Sequence, residues 1–423
     1  MFERIQSILK ELGIEHSIIR RRHIETAELF FIRKKLDMRR IKDTTVYPVF
    51  LYHDFTDGGA AMRGSSEVLL SPDMSDETLR RTLADGYRAA AHVKNPTYEL
   101  YAGKKEEPVA VPSTLAGLPL AESARRMSAA LFAPDTRDDA FLNSAELFVT
   151  RTEVALVSSA GAEVSFTKYS CNGEFVVQCR QPTDVEQYFS FSYDGLDEAA
   201  LTQKVAEALS TVCDRAKASE SPKAGSYDIV LSGRSLRELL QFYLTRADAS
   251  MVYAHYSTYR PGDAVQGETV TGEKLDMTVL PRTPYSVDGI PMAERPLIEG
   301  GTLRFLHGAT RFCRYFGIEP TGSYSRIRLG CGTVPFDELK KGCLYPVSFS
   351  DFQMNALDGR FGGEIRLAYL FTDDGVKLLT GGSVNGSLLE KQGGLTFSTE
   401  RYTDADYTGP FAVRIAGVSV SGK

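Results

Sequence analysis

The spacing of hydrophobic positions changes several times along the 423 residues, and each change marks an element. Phe2, Ile5, Ile8, Leu9 and Leu12 share one helical face, which predicts an amphipathic helix over 2–12 that ends at Gly13. Apolar or alternating stretches at 27–34 and 46–53 predict paired strands. Ser75 precedes Asp76-Glu77 and the series Leu79, Leu83, Tyr87, Ala90 and Ala91, a capped helix that Asn95-Pro96 stops. The Val/Ala/Ser-rich segment 106–119, interrupted by Pro108, Pro112 and Pro119, reads as a linker. It leads to a helix over 121–132, ended at Pro134. From 142 to 193 the pattern is almost purely β, with runs at 147–152, 154–158, 163–169, 175–180 and 188–193. A helix over 197–217, acidic at its start and basic at its end as the helix dipole prefers, closes the stretch.

Residues 217–226 form the clearest linker, followed by the buried-type strand Tyr227–Leu231 and a helix over 234–246. Beyond Gly262 the chain is Gly-rich and β-rich, with a hairpin predicted from Ile365–Phe371, Asp373-Asp374-Gly375 and Val376–Thr380. The expected class is therefore α+β. An N-terminal α/β unit (1–105) and a middle β-rich unit with a closing helix (106–219) precede a mainly antiparallel β domain (220–423). The two units before residue 217 show no convincing repeat in sequence.

Composition narrows the function classes. A net charge of −6 argues against a general nucleic-acid binder, whose surface must neutralise phosphates. The cluster Arg20-Arg21-Arg22-His23 reads as a solvated strand edge or loop. No apolar run is long enough for a membrane span, and Met1–Ile5 opens an amphipathic helix rather than a secretory signal. Six cysteines without a Cys-x-x-Cys pair read as buried free thiols, which suits a cytoplasmic protein.

The search for chemistry returns little. There is no phosphate-binding Gly-x-x-x-x-Gly-Lys loop and no Gly-x-Ser-x-Gly elbow, and Gly330-Cys331-Gly332 reads as a β-turn. The histidines stand at 16, 23, 53, 92, 255 and 307, too far apart for two ligands on one helix face. No catalytic residue and no metal ligand is assigned. His307 reads as a satisfied histidine at a strand end. Tyr253, His255 and Tyr256, just after a helix, are candidates for lining a peptide cleft. Cys343 follows Lys340-Lys341, but the pattern of helix, Gly342 and strand makes it a buried strand residue rather than a nucleophile.

Several segments together resemble the TldD/PmbA family, long labelled modulators of DNA gyrase and understood as peptidases or their partners. They are Ser158-Ser159-Ala160-Gly161, Gly225–Ser232, Asp288-Gly289-Ile290-Pro291, Pro296–Leu303 and Pro320-Thr321-Gly322-Ser323, in the family's order and spacing. In the TldD branch the helix after the second of these carries His-Glu-x-x-x-His. Here Arg237 and Phe242 fill the histidine positions and only Glu238 remains. A guanidinium stays protonated and a phenyl ring has no lone pair to donate, so neither ligates zinc. No cysteine follows Cys343, although the TldD branch uses a late one. These departures point to the PmbA (TldE-like) branch.

The resemblance implies a PmbA/TldD-like fold, dimers that enclose a cavity, and an unfolded peptide held as an added strand. It implies a non-catalytic subunit without cofactor, paired with a TldD-like metallopeptidase subunit or with itself; from charge and hydropathy, contact with neither nucleic acid nor membrane is expected. Two alternatives stand beside it: a stand-alone homodimeric hydrolase with a divergent site, the one case calling for zinc, and a peptide-binding scaffold.

Overall fold

The computed structural model describes residues 1–422. Long antiparallel hairpins build its N-terminal half. Strands β1 (His16–Ile32) and β2 (Lys35–Asp57) form the first, and β3 (Ala60–Leu70) returns along β2. The expected strands at 27–34 and 46–53 are thus portions of far longer ones, and β3 carries no matching sequence expectation. Residues 20–26 and 39–46 lack hydrophobic alternation because charges pair across strands there. Glu28, buried, holds Arg40 and Lys42, the latter at 2.8 Å; Glu25 holds Arg151 at 2.5 Å; Arg21 meets Glu153 at 3.3 Å. Such cross-strand pairs stabilise a sheet as apolar pairs do.

A two-residue strand, β4 (Val109–Ala110), lies in the expected linker. Beyond it, β5 (Ala140–Ser158) and β6 (Glu163–Cys179) are each one continuous strand where shorter runs were expected, and β7 (Val185–Tyr193) follows. The sheet order is β3-β2-β1-β5-β6, with β4 and β7 sharing the outer edge of β6. Helices α1 (Phe2–Glu11) and α2 (Asp76–Ala90) pack on β1–β3, burying Ile5, Ile8, Leu79 and Leu83 against Val49 and Leu51. Helices α3 (Leu120–Phe132) and α4 (Glu198–Lys217) cover β5–β7, with Met127, Leu201, Val205 and Leu209 against Leu147, Phe175 and Val177. The two units therefore keep separate cores on one sheet.

The element order α-β-β-β-α occurs twice. Strands β1 and β5 join the two copies through fifteen antiparallel pairs, from Ile18↔Ser158 to Ile32↔Ser144, centred on Glu25↔Arg151. The chain repeats in topology although not in sequence, because only the apolar positions that face each core are needed to keep the arrangement.

In the C-terminal domain β8 (Gly225–Ser232) runs directly into α5 (Gly233–Arg246), and the short α6 (Ala249–Tyr253) follows. Next come β9 (Met277–Leu280), β10 (Arg295–Glu299), β11 (Thr302–Leu303), α7 (Thr310–Tyr315), β12 (Arg326–Leu329) and α8 (Phe336–Leu339). The chain then forms β13 (Leu344–Met354), β14 (Arg360–Thr372), β15 (Gly375–Leu379), β16 (Ser383–Ser387) and α9 (Leu388–Lys391). It ends in β17 (Thr396–Phe397), β18 (Arg401–Thr403), β19 (Tyr407–Pro410) and β20 (Ala412–Ser421). One sheet is ordered β11-β10-β9-β12-β19-β18; the other, β13-β8-β20-β16-β14-β15, is closed into a ring by an additional β13–β14 pairing. Among the described residues of this domain, only β8–β13 and β12–β19 are parallel. Helix α5 shares its core with both sheets, Met277, Val279 and Ile327 from one and Ile229, Leu344, Ile365 and Val413 from the other. Among the described residues no helix is long and apolar enough to cross a membrane.

Candidate functional site

The sequence pointed to α5, and its placement follows from β8. Ile229, Val230 and Leu231 are fully buried, and Gly233, at φ +53°, turns the chain at once into the helix. Leu236, Leu239, Leu240, Phe242, Tyr243 and Leu244 then face the core, which leaves Arg234, Arg237, Glu238 and Gln241 on the other face.

Arg237 is committed to carboxylates. Its Nη1 donates to Asp404 Oδ2 at 3.1 Å and lies 3.8 Å from Asp406, which also pairs with Arg282. Asp404 in turn accepts the backbone N–H groups of Asp406 and Tyr407 at 2.9 Å each, and the Tyr402 hydroxyl at 3.4 Å. Among the described residues Glu238 has one ion-pair partner, Arg234 at 3.9 Å. Burial pushes its carboxyl pKa up, with Arg234 and Arg237 opposing and Asp351 adding to the rise. Phe242 is 1 % exposed, edge-on to Tyr243 at 5.3 Å and beneath the Arg246 guanidinium at 5.4 Å. These three positions do not fit a metal ion: one is a paired cation, one is a core phenyl, and a single carboxylate is left.

Among the described residues, one group brings three His, Asp or Glu ligand atoms within 4.8 Å of one another: His23, Glu25 and Asp43, on the first hairpin. Spacing along the chain could not reveal it, because the β1–β2 register, Glu25↔Asp43, brings these residues together. The group is already engaged, His23 Nε2 with Asp43 at 2.8 Å and Glu25 with Arg151 at 2.5 Å.

The expected cleft residues separate. Helix α6 ends with His255 in the left-handed region, φ +60°, while the Tyr256 N–H caps the Met251 carbonyl at 2.9 Å. That turn directs His255 to the wall of a cavity of about 710 Å³, which Tyr259, Arg260, Arg295, Phe305 and Phe316 also line. Tyr253 instead joins an aromatic group with Phe312, Tyr315 and Phe316, and Tyr256 is 57 % exposed; neither lines the cavity.

Two of the motif segments meet across the seam between the N-terminal sheet and the C-terminal domain. In Asp288–Pro291, Ser286 Oγ accepts the N–H groups of Asp288 and Ile290, and Gly289 sits at φ +83°. A β-carbon on Gly289 would lie 2.9 Å from the Ala162 β-carbon, just past the Ser158–Gly161 turn. Tyr285 packs there with Leu156, Ala162, Val164 and Phe166. Asp288 also accepts the Thr310 N–H (3.1 Å) and hydroxyl (2.7 Å), and Thr321 Oγ1 accepts the Gly308 N–H at 3.2 Å.

His307 lies in the loop before α7 rather than at a strand end. It is 2 % exposed and donates from Nε2 to the Leu244 carbonyl at 2.9 Å, so that Nδ1 faces the Tyr324 N–H at 3.5 Å. Burial lowers its pKa; Asp248 and the Leu244 carbonyl oppose this. Burial thus favours the neutral ring in the folded chain relative to the unfolded one. The unfolded chain takes up the proton first as pH falls through about 6.5, so His307 costs at most about 1.4 kcal/mol of stability per pH unit below that point. Denaturant melts at pH 7 and pH 5 are expected to show a smaller acid loss for His307→Gln than for the natural chain. Cys343 immediately precedes β13, fully buried, with its thiol 3.5 Å from the Leu339 and Lys341 carbonyls; burial pushes its pKa up and suppresses the thiolate.

Comparison with known proteins adds to this geometry. Residues 224–422 match the family model described as the PmbA/TldA metallopeptidase C-terminal domain. No curated protein matches the chain in sequence. Among solved structures, a protein described as a suggested modulator of DNA gyrase from Bacteroides thetaiotaomicron superposes with a TM-score of 0.80 at 14% identity, covering 100% of this chain and 99% of its own. A similarly described protein from Thermotoga maritima gives 0.78 at 14%, with 99% of each chain covered. TldE from Thermococcus kodakarensis gives 0.77 at 13%, covering 99% of this chain and 100% of its own.

Proposed function

We propose, for a chain whose C-terminal domain belongs to the PmbA/TldD metallopeptidase family and whose whole length carries the TldE fold, that it is the non-catalytic subunit of a TldD-type peptidase system. One observation carries this reading: the helix positions where the TldD branch holds metal contain an arginine tied to Asp404 and a phenylalanine inside the core. The subunit's contribution is then to bind and shape an unfolded peptide rather than to cut it.

A physical means for that exists in the chain. Strand β3 pairs with β2 only from Tyr47 to Asp57, so among the described residues the outer edge of β2 from Lys35 to Val46 has no strand beside it. Its main-chain donors and acceptors can take an added strand from a peptide or partner, with affinity that demands little of the sequence. Ile41, 78 % exposed on this segment, is an apolar contact for it.

The test is to purify the chain alone and together with a family member that keeps His-Glu-x-x-x-His. Elemental analysis, size exclusion and cleavage of an unfolded fluorescent peptide are then measured on both preparations. Substoichiometric zinc and no cleavage are expected for the chain alone, with a complex and altered cleavage for the pair. Stoichiometric zinc in the lone chain, or neither complex nor altered cleavage, would sink the proposal.

A further inference from the structure

We propose that the cavity beside α6 is a binding site for an apolar carboxylic acid, with Arg260 and Arg295 as its anion anchors. Its volume, about 710 Å³, lies within the range of small-molecule and short-peptide sites. Val252, Phe305, Phe316 and Ile318 supply an apolar wall. Among the described residues, the two arginines at its border have no carboxylate within ion-pair distance, whereas Arg237, Arg282, Arg326 and Arg328 in the same domain are all paired. The one acidic lining residue, Glu319, already meets Arg314 at 3.2 Å. The cavity thus presents two guanidinium groups without ion-pair partners next to hydrocarbon.

One further observation sets this cavity apart from a chance hollow. His255 holds a left-handed backbone where glycine is the ordinary choice, a cost kept at a position whose side chain reaches the cavity. A planar carboxylate matches the guanidinium fork, and an apolar body matches the wall. A free peptide C-terminus with a hydrophobic last residue and a medium-chain fatty acid share this chemistry. The cavity lies outside the α5 positions that carry the peptidase-subunit reading, so binding here can be tested separately from that reading.

The chain contains no tryptophan, so a tryptophan-bearing ligand can be followed by its own emission. The probe is N-acetyl-Ala-Ala-Leu-Trp as the free acid, compared with its C-terminal amide and challenged with octanoate, using the full chain. The acid is expected to bind at least about tenfold tighter than the amide, the scale of one charge-assisted contact. Arg260→Ala and Arg295→Ala are each expected to weaken the acid and leave the amide unchanged. Both residues are exposed, so the variants should melt like the natural chain. Displacement by octanoate would support a site for apolar acids in general, and its absence one for peptide C-termini. Equal binding of acid and amide, no binding of either, or unchanged acid binding in the Arg260→Ala/Arg295→Ala double variant would overturn the proposal.

Discussion

Phe242→Ala is expected to lower folding stability by about 3–5 kcal/mol, read from chemical denaturation of the full chain. The ring is enclosed among α5 and both C-terminal sheets, with Tyr243 edge-on and Arg246 above it, so removing it leaves a void that its neighbours fill only in part. A loss below about 1 kcal/mol would mean that position 242 is a loosely held slot, and the argument from α5 would weaken with it. Arg237→Ala should cost less, because Asp404 keeps its two backbone N–H donors and Asp406 keeps Arg282. The contrast bears on function. Histidines written at both 237 and 242 would not restore a ligand pair, since the second would be a buried imidazole in an apolar core.

Gly289→Ala should be nearly as damaging, by about 2–4 kcal/mol, for two separable reasons. A left-handed backbone penalises any β-carbon there, and that carbon would also press on Ala162. Gly267 provides the control: its φ is +87°, but nothing lies within 4 Å of where a β-carbon would stand. Gly267→Ala should therefore cost only the backbone share, about 1–2 kcal/mol. Equal losses in the two variants would show that the contact across the seam contributes nothing.

Particular residues show how far the sequence could be read. Ser75 caps α2 as its position suggested, through Oγ to the Thr78 N–H at 3.2 Å, and the Asp373-Asp374 turn joins β14 to β15. Such local signals survive because they act within a few residues. The long strands were harder to see, since Arg20–Thr26 carries no apolar alternation and owes its order both to β2 of its own hairpin and to β5, more than a hundred residues away. The α5 substitutions were visible as letters; that Arg237 is held by Asp404 and Asp406 needed the fold, because 167 residues separate the first pair. His255 stood out with Tyr253 and Tyr256, yet only the left-handed turn after α6 decides which of the three reaches the cavity. Arg260 and Arg295 carried no sequence signal, because a missing partner cannot be read from a string.

The doubled N-terminal sheet has a consequence for how its halves tell each other apart. Because the seam is centred, the strand that each half offers is geometrically able to meet a second copy of itself in the same register. Charge breaks that equality. In the native seam Glu25 stands against Arg151; a like-with-like seam would set glutamate against glutamate, or arginine against arginine, at its midpoint. At its midpoint, therefore, the seam's charge favours the native partner over a second copy of either half.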